Sequence, residues 1–579
     1  MRHFLLGSTF TAFLLLMGPA GPAASQSQDL PQQLQIMKSE LTRNFQALQK
    51  EPVPPYYLAY CIDRVATQTV STSFGAISSQ SENTTAFLRV ELRVGSYALD
   101  NTHELRSPDP LASIFSRIGS LDRAPLSESP DALRVILWQA TDKAFKNAAE
   151  MLQKVKTERS TKVAEEDKSD DFSRLDAQVS LEKPLAVPVD LEKWTSRVRR
   201  FSSPFKGDPH LIGGQAYFSS EVRNKFFVNS EGTALLVPTN YLRLGIYATT
   251  KADDGMEMPL SLSYFGFAES DLPSEDTVMA DVKTLMASLE KLRTAPIVDP
   301  YTGPAILSGK ASGVFFHEIL GHRLEGHRQK SEQEGQTFKK KVGQLVLPEF
   351  ISVIFDPTIK EIYGIKLSGF YRYDDEGAKA EKVTAIENGI MKDFLMSRSP
   401  IENFSRTNGH SRAQPGLKPV TRQSNLVVAS TKTLPDDALR ARLIEECKKA
   451  NKPFGLIFSE VAGGFTMTSR IIPNAFNVTP LLVYRVYVDG RPDEVVRGVD
   501  LIGTPLTTFG KITATGSRFD VFNGMCGAES GAVPVSAVSP SVLVSEIEVQ
   551  KKAKSQEKPP ILPPPALSSG HPGKEGGLR

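Results

Sequence analysis

Three histidines and two glutamates fall within one short string of this chain, HEILGHRLEGH at 317–327. Imidazoles and carboxylates at such spacing suggest metal ligands and a general base. The familiar arrangement puts two histidines four residues apart on one helical face, with a glutamate directly after the first. Here the second histidine comes five residues after the first. Successive residues of an α-helix advance about 100°, so i and i+5 stand about 140° apart, against about 40° for i and i+4. His317 and His322 can share one cation only if the helix widens or ends between them. A π-bulge would widen it, and Gly321, just before the second histidine, tolerates such a departure. The string by itself is equally compatible with histidines that lie close by chance.

If the cation is zinc, His317 and His322 supply two neutral imidazoles. A catalytic zinc has three protein ligands and keeps a fourth position for water. Glu318 adjoins the first histidine, where its carboxylate would take a proton from that water as it attacks a peptide carbonyl. Glu325, His327, His410 and Cys526 are the chemically suitable third ligands, and spacing does not choose among them. A fourth protein ligand, Glu325 or His327, would make the zinc structural and the chain a non-catalytic assembly or binding subunit.

These residues need a scaffold. The chain has 579 residues, too many for one ordinary core. Its 40% hydrophobic and 23% charged content is that of a globular protein, and a net charge of +2 gives no support for nucleic-acid binding. Apolar spacing predicts helices over 29–50, 130–156 and 274–294, the first capped by Asp29. Period-two alternation from Leu88 to Val94 predicts a strand, as do runs near 225–250 and 481–490. A prominent helix is expected around 312–330. Pro296, Pro300 and Pro304 mark the boundary between two halves.

Residues 1–25 read as a signal peptide: a polar start, the apolar run FLLGSTFTAFLLLMG, then small residues with cleavage after Ala24 or Ser25. The expected location is exported, periplasmic or extracellular, with no membrane span left after cleavage. The lysine-, proline- and glycine-rich residues 551–579 read as a disordered tail. Of the three cysteines, at least one cannot pair within the chain; Cys61 and Cys447 are expected as buried thiols rather than a disulfide.

Four stretches resemble the TldD/PmbA family of metallopeptidases: HEILGHRLEG (317–326), DDEGAKAEKVTAIENGIMKDFL (374–395), RTNGHSRAQPGLKPVTRQSNLVV (406–428) and NGMCGAESGAVPVSAVSPSVLVSEIEV (523–549). They follow the family's order. Residue by residue, the resemblance implies a Zn2+ site of His317, His322 and Cys526, with Glu318 as catalytic base. It places Asp374, Asp375 and Glu376 near the cleft, with Arg412 and Arg422 contacting substrate. A peptide bound along a sheet edge would make Gly463 and Gly464 points of close backbone approach.

The fold class is therefore α+β: an N-terminal α/β domain over 26–295, then a strand-rich metallopeptidase domain over 296–550 with a distorted zinc-binding helix. The expected activity is hydrolysis of peptide bonds in unfolded proteins or small peptides, by a homodimer or a heterodimer with a related chain. The chain departs from the family pattern at His327 and Ser530, and resembles it only faintly before residue 300.

Overall fold

The computed structural model describes residues 30–105, 122–124, 129–161, 167–186, 189–470, 476–503, 508–552, 560, 562 and 565. The expected signal peptide, Asp29 and most of the tail lie outside them. In chain order the principal elements are α1 (Gln32–Leu48), β1 (Pro55–Ser73), β2 (Ala76–Val94), α2 (Pro130–Thr161), α3 (Leu191–Ser202), β3 (Leu211–Asn229), β4 (Ala234–Lys251), β5 (Glu257–Gly266) and α4 (Glu275–Thr294). The second half contributes β6 (Tyr301–Leu307), α5 (Gly309–Ile319), β7 (Ile351–Phe355), β8 (Asn425–Ser430), α6 (Asp436–Lys449), β9 (Phe454–Thr466), β10 (Phe476–Tyr487), β11 (Val499–Gly503), β12 (Ile512–Ala528) and β13 (Gly531–Lys551). The architecture is α+β and strand-rich.

The first half is built on a seven-stranded sheet in which β2, β1, β3, β4 and β5 pair antiparallel in that order. Leu34, Met37 and Leu41 recur along one stripe of α1 and pack with Leu133, Leu137 and Leu152 of α2 against this sheet. Helices α3 and α4 join a second core through Trp194, Val198, Val278, Val282 and Leu285. Both have side-chain caps: Asp190 accepts from the Lys193 amide at 2.9 Å, and Ser274 from the Thr277 amide at 3.2 Å.

The second half is a twelve-stranded sheet. Strand β13 pairs with β11, β11 with β10, β10 with β9 and β9 with β6, and β6 returns to pair with β13. These five strands close on themselves. Helix α5 is buried at every residue but Lys310 and packs against β9, β10, β12 and β13 through Val314, Phe315, Phe316 and Ile319. A helix with no solvent face cannot be read from amphipathic periodicity.

The halves meet through the segment at 374–376, which is buried rather than a solvated turn. Asp375 pairs with Arg223 at 2.9 Å and Lys225 at 2.7 Å, both on β3. Glu376 accepts from the Arg398 amide at 2.8 Å, and the Arg398 side chain reaches Glu231 at 2.8 Å. All three cysteines are free and buried. Burial pushes the Cys61 thiol up to about 12 and that of Cys447 to about 11. Among the described residues no helix is long and apolar enough to cross a membrane.

Candidate metal centre

Helix α5 ends between the two histidines. His317 and Glu318 occupy its last turn, Leu320 leaves the ideal geometry at φ −105°, ψ −53°, and Gly321–Leu324 form a 3-10 turn that carries His322. Of the two routes open to the i, i+5 spacing, the chain takes termination and not a π-bulge. The continuous helix expected over 312–330 is corrected accordingly; His327–Lys330 form a separate short turn.

Two side chains make this ending possible. A helix C-terminus leaves carbonyls without intrahelical partners. Arg323 Nη1 donates to the carbonyls of Glu318 and Ile319, each at 3.0 Å, and Gln423 Nε2 donates to that of His317 at 3.1 Å. Gln423 approaches so closely that a Cβ at residue 321 would lie 1.9 Å from its Oε1. Glycine at 321 makes room for this side chain, and its φ is not positive.

The break turns the two rings toward each other. Their centroids are 5.0 Å apart with planes at 81°. Strand β12 brings in the third group: Cys526 Sγ lies 3.3 Å from His317 Nε2 and 3.4 Å from His322 Nε2. All three ligand atoms lie within 4.8 Å of one another. Zinc at about 2.0–2.1 Å from nitrogen and 2.3 Å from sulfur in a tetrahedral site requires N···S separations of about 3.6 Å. The donor set fits zinc in chemistry and in spacing.

The other candidate ligands are engaged elsewhere. Glu325 Oε2 contacts His322 Nδ1 at 3.2 Å and accepts from Arg328 Nε at 2.8 Å, so it orients the ring from behind. His327 Nε2 pairs with Glu529 at 2.6 Å. His410 is fully buried between Asn408 and Ser424, each at 3.1 Å. Among the described residues the group of mutually close ligands has three members, and Glu318 stands beside it, with Oε2 3.9 Å from His322 Nε2.

Electrostatics favour the thiolate of Cys526, which is the ligating form, and the protonated ring of His322, which must release its proton to ligate. Burial raises the Cys526 thiol, but His322 and His317 outweigh it and hold it well below its ordinary value. Burial would lower the His322 pKa, but Cys526 and Glu325 raise it well above normal. Burial likewise opposes ionisation of Glu325, yet His322 and Arg328 hold its carboxyl at about 2. A thiolate is the form of cysteine that binds metal.

The centre opens on a cleft of ≈1220 Å³ lined by His317, Glu318, His322, Cys526, Gly463 and Gly464. Gly464 permits the close passage of β9: a Cβ there would lie 2.7 Å from Glu318 Cγ. The two arginines fall elsewhere. Arg422 is fully buried and donates to the Cys526 carbonyl at 2.6 Å and to the Gly531 carbonyl at 2.9 Å, so it braces the hairpin behind the thiol. Arg412 donates to the Gln423 carbonyl at 2.7 Å and borders a separate chamber. Arg323, Arg328, Gln423 and Glu529 went unnoticed in the sequence. Arg323, Gln423 and Glu529 lie inside three of the four resembling stretches, which is the signal that could have found them; Arg328 lies just beyond one.

Residues 300–551 match the family model for the PmbA/TldA metallopeptidase C-terminal domain. This half of the chain is similar to a TldD/PmbA-type metallopeptidase. A metalloprotease of Methanocaldococcus jannaschii is 31% identical over 231 residues, 40% of this chain and 47% of that protein. One of Archaeoglobus fulgidus is 30% identical over 238 residues, 41% of this chain and 51% of that protein. A zinc metalloprotease TldD homolog of Saccharolobus solfataricus is 26% identical over 275 residues, 46% and 57% of the two chains. The chain thus spans about half the length of the curated relatives it matches. Two solved structures share the fold over most of this chain. One, from Thermotoga maritima and described as a modulator of a DNA gyrase, has a TM-score of 0.59 at 14% identity, covering 88% of this chain and 99% of that one. TldE from Thermococcus kodakarensis has a TM-score of 0.57 at 14% identity, covering 89% and 100%.

Proposed function

We propose that this protein is an exported zinc metallopeptidase that hydrolyses peptide bonds in unfolded proteins or small peptides. The observation that carries this is the convergence of His317, His322 and Cys526 on one point of a large cleft, with the Glu318 carboxylate beside them. Zinc bound there would act as a Lewis acid toward the peptide carbonyl and lower the pKa of a water. The three side chains would hold it, and Glu325 and Arg422 fix His322 and Cys526 from behind. Glu318 takes the proton from the attacking water and delivers it to the leaving amine. The cleft wall of β9, with Gly463 and Gly464, admits an extended backbone.

The wider proposal includes export with cleavage after Ala24 or Ser25, and assembly as a homodimer or with a TldE-like partner chain. A structural zinc would need a fourth protein ligand, and Glu325 and His327 are committed to other partners.

The test is metal analysis of the purified protein together with hydrolysis of unfolded casein by the parent and Glu318→Gln. The expected result is one zinc per chain in both and hydrolysis only in the parent. Equal cleavage by the variant would remove Glu318 from the role of base.

A further inference from the structure

We propose that a side chamber beside the metal cleft, walled by Arg243 and Arg412, binds a carboxylate of the substrate; that the ligand is a peptide rests on the peptidase reading above. The chamber has a volume of ≈400 Å³ and lies between β3 and β4 of the first sheet, the segment at 371–375 and the hairpin that carries Cys526.

The charges on its wall are unevenly satisfied. Asp375 is taken by Arg223 and Lys225 at 2.9 and 2.7 Å. Asp374 accepts three backbone amides, those of Glu376, Ala378 and Ser411. Glu221 is the third acid on the wall. Two guanidiniums remain. Among the described residues Arg243 makes no ion pair; its Nη2 touches Met525 Sδ at 3.2 Å, and its head lies 5.2 Å from the Phe265 ring centre. Arg412 is 6% exposed, and its partners are the Gln423 carbonyl and the face of Tyr371. Burial is the leading influence on both and lowers their pKa values.

A buried cation that makes no ion pair among the described residues, as Arg412 is, is costly to maintain; Arg243 is half-buried, and Glu221 offsets part of its charge. A planar guanidinium matches a carboxylate bidentately. The chamber also adjoins the cleft. Arg243 and Met525 border both it and the cleft, and Met525 directly precedes the ligand Cys526. A peptide held at the metal that runs along this shared wall in extended form meets Arg243. The carboxylate can come from the free C-terminus or from an acidic side chain.

The experiment measures binding without turnover, using full-length, zinc-loaded Glu318→Gln protein and three fluorescent peptides. These are a neutral sequence ending in a free acid, the same sequence as an amide, and that amide with one Gln replaced by Glu. The free acid is expected to bind about 10- to 100-fold more tightly than the amide. Arg243→Gln should abolish this difference while leaving the amide's affinity unchanged, and Arg243→Lys should restore part of it. Tight binding of the Glu-containing amide in place of the free acid would assign the site to side chains. Equal affinities for all three peptides, binding of none of them, or equal weakening of acid and amide by Arg243→Gln would overturn the proposal. A parent enzyme that binds these peptides with the expected contrast but cleaves nothing would instead overturn the peptidase reading.

Discussion

The carboxylate of Glu325 stands behind His322, 3.2 Å from Nδ1, while the opposite nitrogen of the same ring lies 3.4 Å from Cys526. This fixes which nitrogen faces the metal position. The contact couples two further parts of the site, because Arg328 binds Glu325 at 2.8 Å and Glu529, on the Cys526 hairpin, at 3.0 Å.

Glu325→Gln removes the charge that holds the ring and leaves Arg328 with an incomplete partner. Metal affinity should fall about 10- to 100-fold, the usual effect of losing a carboxylate behind a histidine ligand. Competition with a chromophoric zinc chelator measures this. An unchanged affinity would show that Glu325 does not orient His322.

Gly321→Ala places a methyl group into Gln423. Overpacking at a buried backbone contact should cost about 1–3 kcal/mol and displace the 3-10 turn that carries His322. Denaturant unfolding and zinc stoichiometry report the two effects. Gln423→Ala removes the clashing atoms, so the double variant should recover part of the loss; strictly additive losses would mean that the clash is not the cause.

Asp375 joins the halves of the molecule. Burial opposes its charge, but Lys225 and Arg223 outweigh this and hold the carboxyl well below the usual carboxylate range. The folded pKa is depressed, so this stability is present above the unfolded value of about 3.9 and is lost as pH falls below it. Asp375→Ala leaves the buried Lys225 without its carboxylate, while Arg223 keeps Asp63 at 2.7 Å, and should cost about 3–5 kcal/mol at neutral pH. A loss below about 1 kcal/mol in urea unfolding would contradict the assignment.

His410 supplies a second pH dependence, in a higher window. Burial lowers its pKa to about 3, and its contacts with Asn408 and Ser424 suit the neutral ring. The unfolded chain takes up this proton below about pH 6.5 and the folded chain does not, so stability falls from about 6.5 down toward 3. The slope approaches about 1.4 kcal/mol per pH unit for this one group. His410→Gln should be less stable at pH 7 but show a shallower decline between pH 6 and 4; an identical slope would place the titration elsewhere.

Much of the scaffold was legible in the sequence because its signals are local. Helix α1 announces itself through Leu34, Met37 and Leu41, α4 through Val278, Val282 and Leu285, and β2 through the alternation from Leu88 to Val94. Each pattern reflects one element with one buried face. Helix α5 has no such single face, so only its motif marks it in the sequence and no local signal marks its end.

The sequence by itself supplied the chemistry: two imidazoles and a carboxylate at an awkward spacing, a cysteine two hundred residues away, and glycines beside them. It stated the condition under which the imidazoles could cooperate. Only the tertiary structure decided how that condition is met, because the capping groups come from outside the helix. The Gln423 amide and the Arg323 guanidinium satisfy carbonyls that an uninterrupted helix would have used itself. The approach of β12 and β13 selects Cys526 over Glu325, His327 and His410. Contacts between residues remote in sequence depend on sheet closure and packing, which no spacing along the chain encodes.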